Sequence, residues 1–545
     1  MSVCTITILI EGKKLNSAYQ QVLSLDVSKE VNRIPCAHLI LIDGNAAERK
    51  FAISDSGFFD PGKMIEIKLR YEGKPESEKT VFKGLIITHS VEADAEKSVL
   101  TIEAKDKAFK MTQIRNTQVF LKLTDDRLFA KLIQTQGLDA GSIPGTEPEH
   151  QEIVQYDCTD WDFMLSRADV NGLLVVVEDG KISTKKIDLS GSSKKTFEYG
   201  IDEIYNFEIE ANASGQYEEV GSITWDIKDQ KMTSVRQAKS IKLNPGDLDA
   251  KKVAADLGAN TYTLTSSASV TPEELQAWAD AKMAKSRLSL VRGRVSLAGF
   301  TDVALLDTVE IKGIGKHFNG KTLVTGIRHR VNEQGWITDV QFGLCADWFS
   351  ARTDVAALPA AGLLPPVSGL HIGIVADFED DPEKQFRVKV TIPALGEKQD
   401  PLWARLASPD AGKGRGFFFR PEKGDEVVLG FFNEDPRQPV IIGALFSSKN
   451  TPPDSFKLEK ENKIKGLVTK KGTVIGFDDE KETVFIETPN NKILLDEKEK
   501  KILISDGNKN TITMDEHGIT IKSGKDFKID ASGNVEIKGN KVDVK

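Results

Sequence analysis

Several short clusters in this sequence carry residue types that could do chemistry. Residues 412–416, Gly-Lys-Gly-Arg-Gly, combine the backbone freedom and positive charge of a phosphate-binding loop. Such a loop leads into a helix, whereas residues 417–419, three phenylalanines, predict a strand, so we interpret the glycines as a barrel loop. The phenylalanines beside Arg415 could stack nucleic-acid bases, but we expect them in a barrel core.

Other candidate sites lack the spacing that their chemistry requires. Asp377, Glu379, Asp380 and Asp381 could bind calcium, but the alternation of an EF-hand loop is absent. The histidines are scattered without an H-E-x-x-H motif, and no G-x-S-x-G motif occurs. The cysteines are far apart, which favours buried reduced thiols over zinc or disulfides. The sequence predicts no catalytic residue, no cofactor and no metal site, and hence no enzyme.

Composition narrows the class of protein and of partner. A chain of 545 residues exceeds one ordinary hydrophobic core, so several domains are expected. The net charge of −9 argues against nucleic acid as the main partner, because polyanions repel an acidic surface. The N-terminus lacks the features of a signal peptide, and no apolar run is long enough for a membrane helix. We therefore expect synthesis in the cytoplasm.

Breaks rich in proline and small residues divide the chain. One break occupies residues 356–366, and a second contains the Pro452-Pro453 pair. We predict five segments, which are a hub over 1–355, a linker over 356–366, a barrel over 367–450, a connector over 451–471 and a needle over 472–545.

Four strand-like elements of the hub recur in the same order. Residues 64–68, 82–84, 87–91 and 99–103 resemble 308–312, 318–320, 327–331 and 336–340. This order predicts two similar β-barrel-like domains, with chance similarity among amphipathic strands as the alternative. Capping signals predict helical insertions that start near Asp125, Thr159 and Thr271. The whole chain is therefore predicted to be mainly β with minor α.

The barrel and the needle have different strand patterns. Five strand-like runs within 372–445 are bounded by turn residues and fit an OB-type barrel. In the needle, apolar residues recur in pairs two positions apart, so that each pair lies on one face of a short strand. The paired residues are Val484 and Ile486, Ile493 and Leu495, Ile502 and Ile504, Ile512 and Met514, Ile519 and Ile521, Phe527 and Ile529, Val535 and Ile537, and Val542 and Val544.

Such short strands cannot enclose a core in one chain, because two apolar side chains per strand are too few for a free sheet in water. Three chains wound together into a triangular β-helix would point every pair at a shared axis. We therefore predict a trimer whose strands, nine from Val474 on, pair with strands of the other chains. The unpaired edges at Val542, Val544 and Lys545 are expected to dock a separate cap.

Several motifs resemble those of the VgrG family, the spikes of type VI secretion and related contractile injection systems. The barrel motifs are Trp403-Ala404-Arg405-Leu406-Ala407-Ser408-Pro409, Pro421-Glu422-Lys423-Gly424-Asp425-Glu426-Val427, Asp435-Pro436 and Pro439-Val440-Ile441-Ile442-Gly443. The hub motifs are Asp160-Trp161-Asp162-Phe163, Arg167-Ala168 and Asn171-Gly172. Some members of that family carry an enzyme between barrel and needle or a toxin after the needle, and we expect neither here, since residues 447–472 are too short for an enzyme.

The resemblance implies a structural spike. It implies a homotrimer whose hub docks on a hexameric tube and baseplate proteins, and whose needle carries a PAAR-type tip protein and contacts the target membrane transiently. Effectors would be carried on the cap or in the tube. The particle would be secreted, or released on firing or lysis. A trimeric β-helix adhesin or tail-fibre protein is the alternative, although it leaves the duplicated hub unexplained.

Overall fold

The computed structural model describes residues 3–16, 21–396, 400–456 and 459–545. The chain divides into two compact units, 1–357 and 358–545. With 42% of residues in strands and 13% in helices, the predicted mainly β class is confirmed. Residues 1–2 and 17–20 of the predicted hub, 397–399 of the predicted barrel and 457–458 of the predicted connector lie outside the described part.

The first unit is built mostly of strands. The strands of its first half are β1 (Cys4–Ile10), β2 (Lys13–Lys14), β3 (Val22–Glu30), β4 (Cys36–Ile42), β5 (Met64–Tyr71), β6 (Lys79–Ala93), β7 (Ser98–Lys105), β8 (Arg115–Leu123), β9 (Asp139–Ala140), β10 (His150–Thr159), β11 (Leu173–Glu178) and β12 (Lys181–Lys186). Those of its second half are β13 (Lys195–Glu198), β14 (Ile204–Ala211), β15 (Glu219–Asp226), β16 (Lys231–Met232), β17 (Arg236–Gln237), β18 (Thr261–Ser266), β19 (Val291–Ala298), β20 (Thr308–Lys312), β21 (Gly320–Asn332) and β22 (Gly335–Phe342).

Helices begin where the sequence supplies caps. They are α1 (Asp125–Thr135), α2 (Asp160–Val170), α3 (Ala250–Asp256) and α4 (Pro272–Ser289). The Thr159 hydroxyl accepts a hydrogen bond from the amide of Asp162, and Thr271 does the same for Glu274. The three helices expected from capping signals are present, whereas α3, capped by Asp249, was not predicted. None of the described helices has both the length and the hydropathy to cross a bilayer.

The repeated elements of the hub form matching meanders. Strands β5, β6 and β7 pair antiparallel in sequence order, as do β20, β21 and β22. Each third strand then pairs with an upstream strand, β7 with β4 and β22 with β19. A β3–β21 pair joins both meanders into one 13-stranded sheet. The halves nevertheless have separate hydrophobic cores, one around Phe59 and Phe82 and one around Phe197 and Val309.

A buried histidine lies where the two meanders join. His329 on β21 is opposite Val27 of β3, and its Nδ1 lies 3.0 Å from the Thr338 hydroxyl. Burial, helped by the charge of Lys29, lowers the pKa of His329 from 6.5 to about 3, although Asp339 acts in the opposite direction. The imidazole is therefore neutral in the folded hub at neutral pH.

Mild acid should destabilise the hub through His329. An unfolded chain binds this proton below about pH 6.5, but the folded chain resists it down to about pH 3, so stability falls over that window. At about 1.36 kcal/mol per pH unit, the loss between pH 7 and pH 5 is about 2 kcal/mol. Urea unfolding at both pH values checks this, with His329→Gln as the control that should flatten the dependence. If the free energy of unfolding changed equally with pH in the unsubstituted protein and in His329→Gln, the prediction would be contradicted.

The second unit begins with the barrel. Its strands are β23 (His371–Val375), β24 (Val388–Thr391), β25 (Leu402–Leu406), β26 (Ala411–Gly412), β27 (Arg415–Gly416), β28 (Glu426–Phe431) and β29 (Pro439–Ala444). Five of them close in the order β23-β24-β25-β29-β28, which confirms the predicted five-strand barrel. Aliphatic side chains such as Val390, Val427 and Leu429 fill its core.

The interpretation of residues 417–419 was wrong. They lie outside any strand, and Phe417, Phe418 and Phe419 are exposed rather than in the core. Three consecutive residues of a strand cannot all point inward, because side chains alternate between its faces. The preceding glycine cluster forms the β26–β27 hairpin, with Gly412 paired to Arg415.

The needle segment of one chain is an antiparallel meander. Its strands are β30 (Ile464–Val468), β31 (Val474–Asp478), β32 (Thr483–Glu487), β33 (Lys492–Asp496), β34 (Lys501–Ser505), β35 (Thr511–Asp515) and β36 (Gly518–Lys522). Each strand pairs with the next one of the same chain, where we expected ladder partners from other chains. Strand β30 lies in the predicted connector. From Val474 on there are six strands rather than nine, since residues 523–545 contain no assigned strand.

Candidate functional site

The meander aligns the apolar pairs of the needle into two columns on one face of the sheet. Ile493 lies opposite Ile486 on one side and Ile504 on the other, and Leu495 lies likewise between Val484 and Ile502. The first column is Leu467, Ile475, Ile486, Ile493, Ile504, Ile512 and Ile521. The second is Phe477, Val484, Leu495, Ile502, Met514 and Ile519. We call these columns the needle face.

The needle face is open to solvent in a single chain. Apart from Ile512, which is half-buried, its side chains range from 38% exposed at Val484 to 69% at Ile519. Phe527 lines a shallow cavity together with Ile493, Ile504, Ile512 and Ile521 of the first column. Soluble monomers rarely expose an apolar patch of this extent, and larger ones mark interaction sites. The strands therefore present a surface that association can bury.

The opposite face of the same sheet is narrower and mixed. Phe485, Leu494 and Leu503 form a half-buried central column there. This column was not predicted from the sequence, although the Ile-Leu-Leu run of β33 indicates it. Charged residues flank the column, as in the 2.7 Å ion pair of Lys492 with Glu487. An apolar stripe one residue wide between charges is typical of a solvent-facing surface.

The last six residues of the predicted axis are placed differently from the first ten. Phe527, Ile529, Val535, Ile537, Val542 and Val544 are exposed by 53% or more and lie in a segment without assigned strands. The expectation of three further strands is therefore not met within one chain. A strand requires a hydrogen-bonding neighbour, and in the single chain this segment forms no ladder with the free edge of β36.

The hub motif that contains Asp160 forms a buried hydrogen-bond network. The carboxylate of Asp160 accepts hydrogen bonds from the side-chain amides of Asn116 at 2.8 Å, Gln136 at 2.7 Å and Gln155 at 2.9 Å. These amides come from β8, from the end of α1 and from β10. Asp160 therefore connects three elements at the start of α2.

The second half of that motif pairs charges between helices. The Arg167 guanidinium donates from Nε and Nη2 to the two carboxylate oxygens of Asp125, both at 2.8 Å, and also reaches Glu274 of α4 at 3.2 Å. Asn171 donates to Asp125 at 2.8 Å. Burial alone would raise the pKa of Asp125, but hydrogen bonds from His150 and Arg167 and the charge of Arg167 lower it to about 2.

These polar residues hold α1, α2 and α4 together. Asp125 and Arg167 satisfy one another in a buried pair, and Asn171 and Glu274 complete it. The carboxylate of Asp125 and the guanidinium of Arg167 thus find their hydrogen-bonding partners within the three helices and at Asn171. The sequence motif identified α2 and its residues, but Asp125, Asn116 and Glu274 are too distant in sequence to have been recognised as partners.

Three of the four acidic residues that suggested calcium form ion pairs with basic side chains. Asp381 pairs with Arg387 at 2.7 Å, Glu379 with Lys389 at 2.6 Å, and Asp377 with Lys423. Of the free cysteines Cys158 is buried, Cys4 and Cys36 are half-buried and Cys345 is exposed. The expectation of buried thiols is thus wrong for Cys345. Among the described residues no cluster of His, Cys, Asp and Glu could hold a metal ion.

Family models cover most of the chain. Residues 1–333 match the Alg8 N-terminal domain. Residues 371–446 match the injector OB domain of type VI secretion systems and phage baseplates, and residues 483–545 match the phage baseplate V C-terminal trimerisation domain. The second match covers the closed barrel, and the third begins in β32 and continues through residues 523–545.

Individual relatives match parts of the chain. The actin cross-linking toxin VgrG1 of Vibrio cholerae is 31% identical over 134 residues, which are 22% of this chain and 12% of that protein. The type VI secretion system spike protein VgrG5 of Pseudomonas aeruginosa is 37% identical over 82 residues, or 14% of this chain and 10% of the relative. The chain thus spans about a tenth of the length of either relative.

A prophage MuSo2 tail protein of 43 kDa from Shewanella oneidensis has a solved structure that superposes with a TM-score of 0.47 at 10% identity. The superposition covers 63% of this chain and 98% of that one. The family assignment depends on the sequence matches. The chain belongs to the Alg8 N-terminal domain family, and its OB and trimerisation domains are those of VgrG-like spikes and phage baseplates.

Proposed function

We propose that three copies of this chain associate through their needle faces into the central spike of a contractile injection machine. The observation that carries this proposal is the coincidence of the open needle face with the matched trimerisation domain. Three sheets arranged as a prism would turn six columns of aliphatic side chains toward one axis. The sixteen residues predicted for the axis keep that role in the proposal, the last six on ladders formed between chains.

The hub is proposed to dock on a hexameric tube and on baseplate proteins. The paired meanders β5–β7 and β20–β22 support this, because two similar units per chain in three chains present six units to a six-fold ring. The alternative of an adhesin does not explain these two similar units per chain.

The C-terminal residues Val542, Val544 and Lys545 are proposed to dock a PAAR-type tip protein. Val544 is 93% exposed in the single chain, which makes it available for such a contact. Effectors would be carried on that cap or in the tube, and the needle would touch the target membrane transiently. The assembled particle would be secreted, or released on firing or lysis.

The role proposed for this chain is structural and not enzymatic. The Vibrio cholerae relative is an actin cross-linking toxin by name, but the match covers 12% of that protein. The polar residues gathered by the hub are paired with one another rather than directed at an open site.

The oligomeric state tests the proposal directly. Light scattering of the full chain in native buffer should give a mass three times the chain's 60.0 kDa. The physical reason is that an apolar face two columns wide has no cover until three copies meet. A monomer at micromolar concentration would overturn the spike.

A further inference from the structure

The misassigned phenylalanines form part of an exposed apolar cluster at one end of the barrel. Phe417, Phe418 and Phe419 lie just before β28, and Ile442, Leu445 and Phe446 lie at or after the end of β29. Because β28 and β29 pair antiparallel, the start of one strand is beside the end of the other; Leu445 donates its amide to the carbonyl of Glu426 at 2.9 Å. We call these six residues the collar.

The segment that carries the phenylalanines is held at both ends. On one side, the amide of Phe417 donates to the carbonyl of Asp410 at 2.9 Å and the Ser408 hydroxyl donates to the carbonyl of Phe417 at 2.7 Å. On the other side, Gly424 donates its amide to the carbonyl of Val375 at 2.9 Å. The phenylalanines are therefore presented to solvent by fixed backbone and do not belong to a long free loop.

The collar adjoins the sheet that carries the needle face. Lys470, in the turn between β30 and β31, binds Glu422 at 2.9 Å, three residues after Phe419. The cation of Arg420 lies 3.9 Å from the ring centroid of Phe378 beside it. The sheet that starts at β30 and β31 continues into the matched trimerisation domain, so an association of needle faces in register would bring three collars to the same level.

The size of the collar indicates what it can do. A phenylalanine buries about 150–250 Å² when covered, so the exposed parts of four of them amount to about 500 Å² per chain. A stable interface buries about 800 Å² per partner. The collar is thus too small to hold a trimer alone but large enough to add to the needle.

The apolar pairs of the needle do not by themselves fix how the three chains are aligned along the axis. They are nearly equivalent along the axis, so a chain displaced by one repeat still meets apolar partners. We propose that the collar packs against the barrel of a neighbouring copy of this chain and fixes the axial register of the three needles. This inference rests on the proposed trimer, because a chain that does not trimerise has no register to fix.

A photo-crosslinker at position 418 tests the contact. The full chain with p-benzoylphenylalanine in place of Phe418 should, in the purified trimer, crosslink to residues 358–545 of a second copy. Leu370 is the matched control, since it is 69% exposed against 78% for Phe418 but lies beside Gly430, toward the other end of β28. A trimer that yields crosslinks only within one chain or to residues 1–357 would overturn this inference. The proposed trimeric spike would be unaffected by that result. If the unsubstituted chain were a monomer, both this inference and the proposed trimeric spike would be contradicted.

A second variant tests the register. Met514→Cys places one thiol per chain on the needle face, and chains in register should form interchain disulfides between these thiols. Adding Phe417→Ser, Phe418→Ser and Phe419→Ser should leave the trimer mass unchanged but lower the disulfide yield, because chains displaced by one repeat no longer place their thiols at the same level. The same background without Met514→Cys corrects for the native cysteines. An undiminished yield would refute the registering role.

Discussion

Ile504→Asp should convert the trimer into monomers. Ile504 occupies the middle of the first column of the needle face, between Ile493 and Ile512 on neighbouring strands. In the proposed trimer three carboxylates would meet at a dry axis, and each buried unpaired charge costs several kcal/mol. Light scattering at micromolar concentration should then give the mass of one chain.

The neighbouring residue supplies the control. Leu503 precedes Ile504 on β34 but belongs to the opposite face, between Leu494 and Thr513. Leu503→Asp changes the same strand by the same charge and should leave the trimer intact. Lowering the pH toward 4 should partly restore the Ile504→Asp trimer, because a buried carboxyl group takes up its proton more readily. If both variants kept the trimer, the needle face would not be the interface.

Arg167→Met should destabilise the hub by about 3–5 kcal/mol, since it leaves the carboxylate of Asp125 buried without its cation. Asp125 is 1% exposed, and Arg167 helps to lower its pKa to about 2, so removing Arg167 leaves burial to oppose the charged carboxylate. Trp161 is buried in α2, six residues away in sequence, and reports local unfolding by its fluorescence. Urea unfolding at pH 7 measures the change in the free energy of unfolding.

An exposed ion pair nearby is the control for charge removal. Arg127 of α1 faces Glu149 at 3.8 Å, with side chains 65% and 49% exposed. Arg127→Met should therefore cost less than about 1 kcal/mol. Combining Arg167→Met with Asp125→Asn should recover part of the loss, because no buried charge is left unpaired. Equal effects of Arg127→Met and Arg167→Met would show that the hub network does not stabilise these helices.

Local sequence signals predicted the elements that depend on neighbours in the chain. The two-residue spacing of Ile493 and Leu495 determined a strand with one apolar face, and the cross-strand ladder confirms it. Thr159 and Thr271 marked the starts of α2 and α4 by offering a cap to an amide three residues on. The five barrel strands were recognised by the same kind of alternation.

Interactions between distant residues were not predictable in this way. Residues 417–419 resemble a strand, but the barrel closes with aliphatic residues from other strands and leaves these rings outside. Asp125 finds Arg167, 42 residues away, only because α1 and α2 pack together. Residues 523–545 repeat the apolar pairs without forming strands in one chain, since pairing depends on neighbours that the repeat itself does not supply.

The sequence by itself determined that this protein is mainly β, that its hub contains a repeated unit and that its C-terminal strands each have one apolar face. These features follow from periodicity and capping, which act over a few residues. Only the tertiary structure decided which strands of one chain pair, that the needle strands run antiparallel, and that the collar phenylalanines are exposed. The reason is that strand pairing and burial depend on which distant segments fill the available space, and the local pattern does not specify that choice.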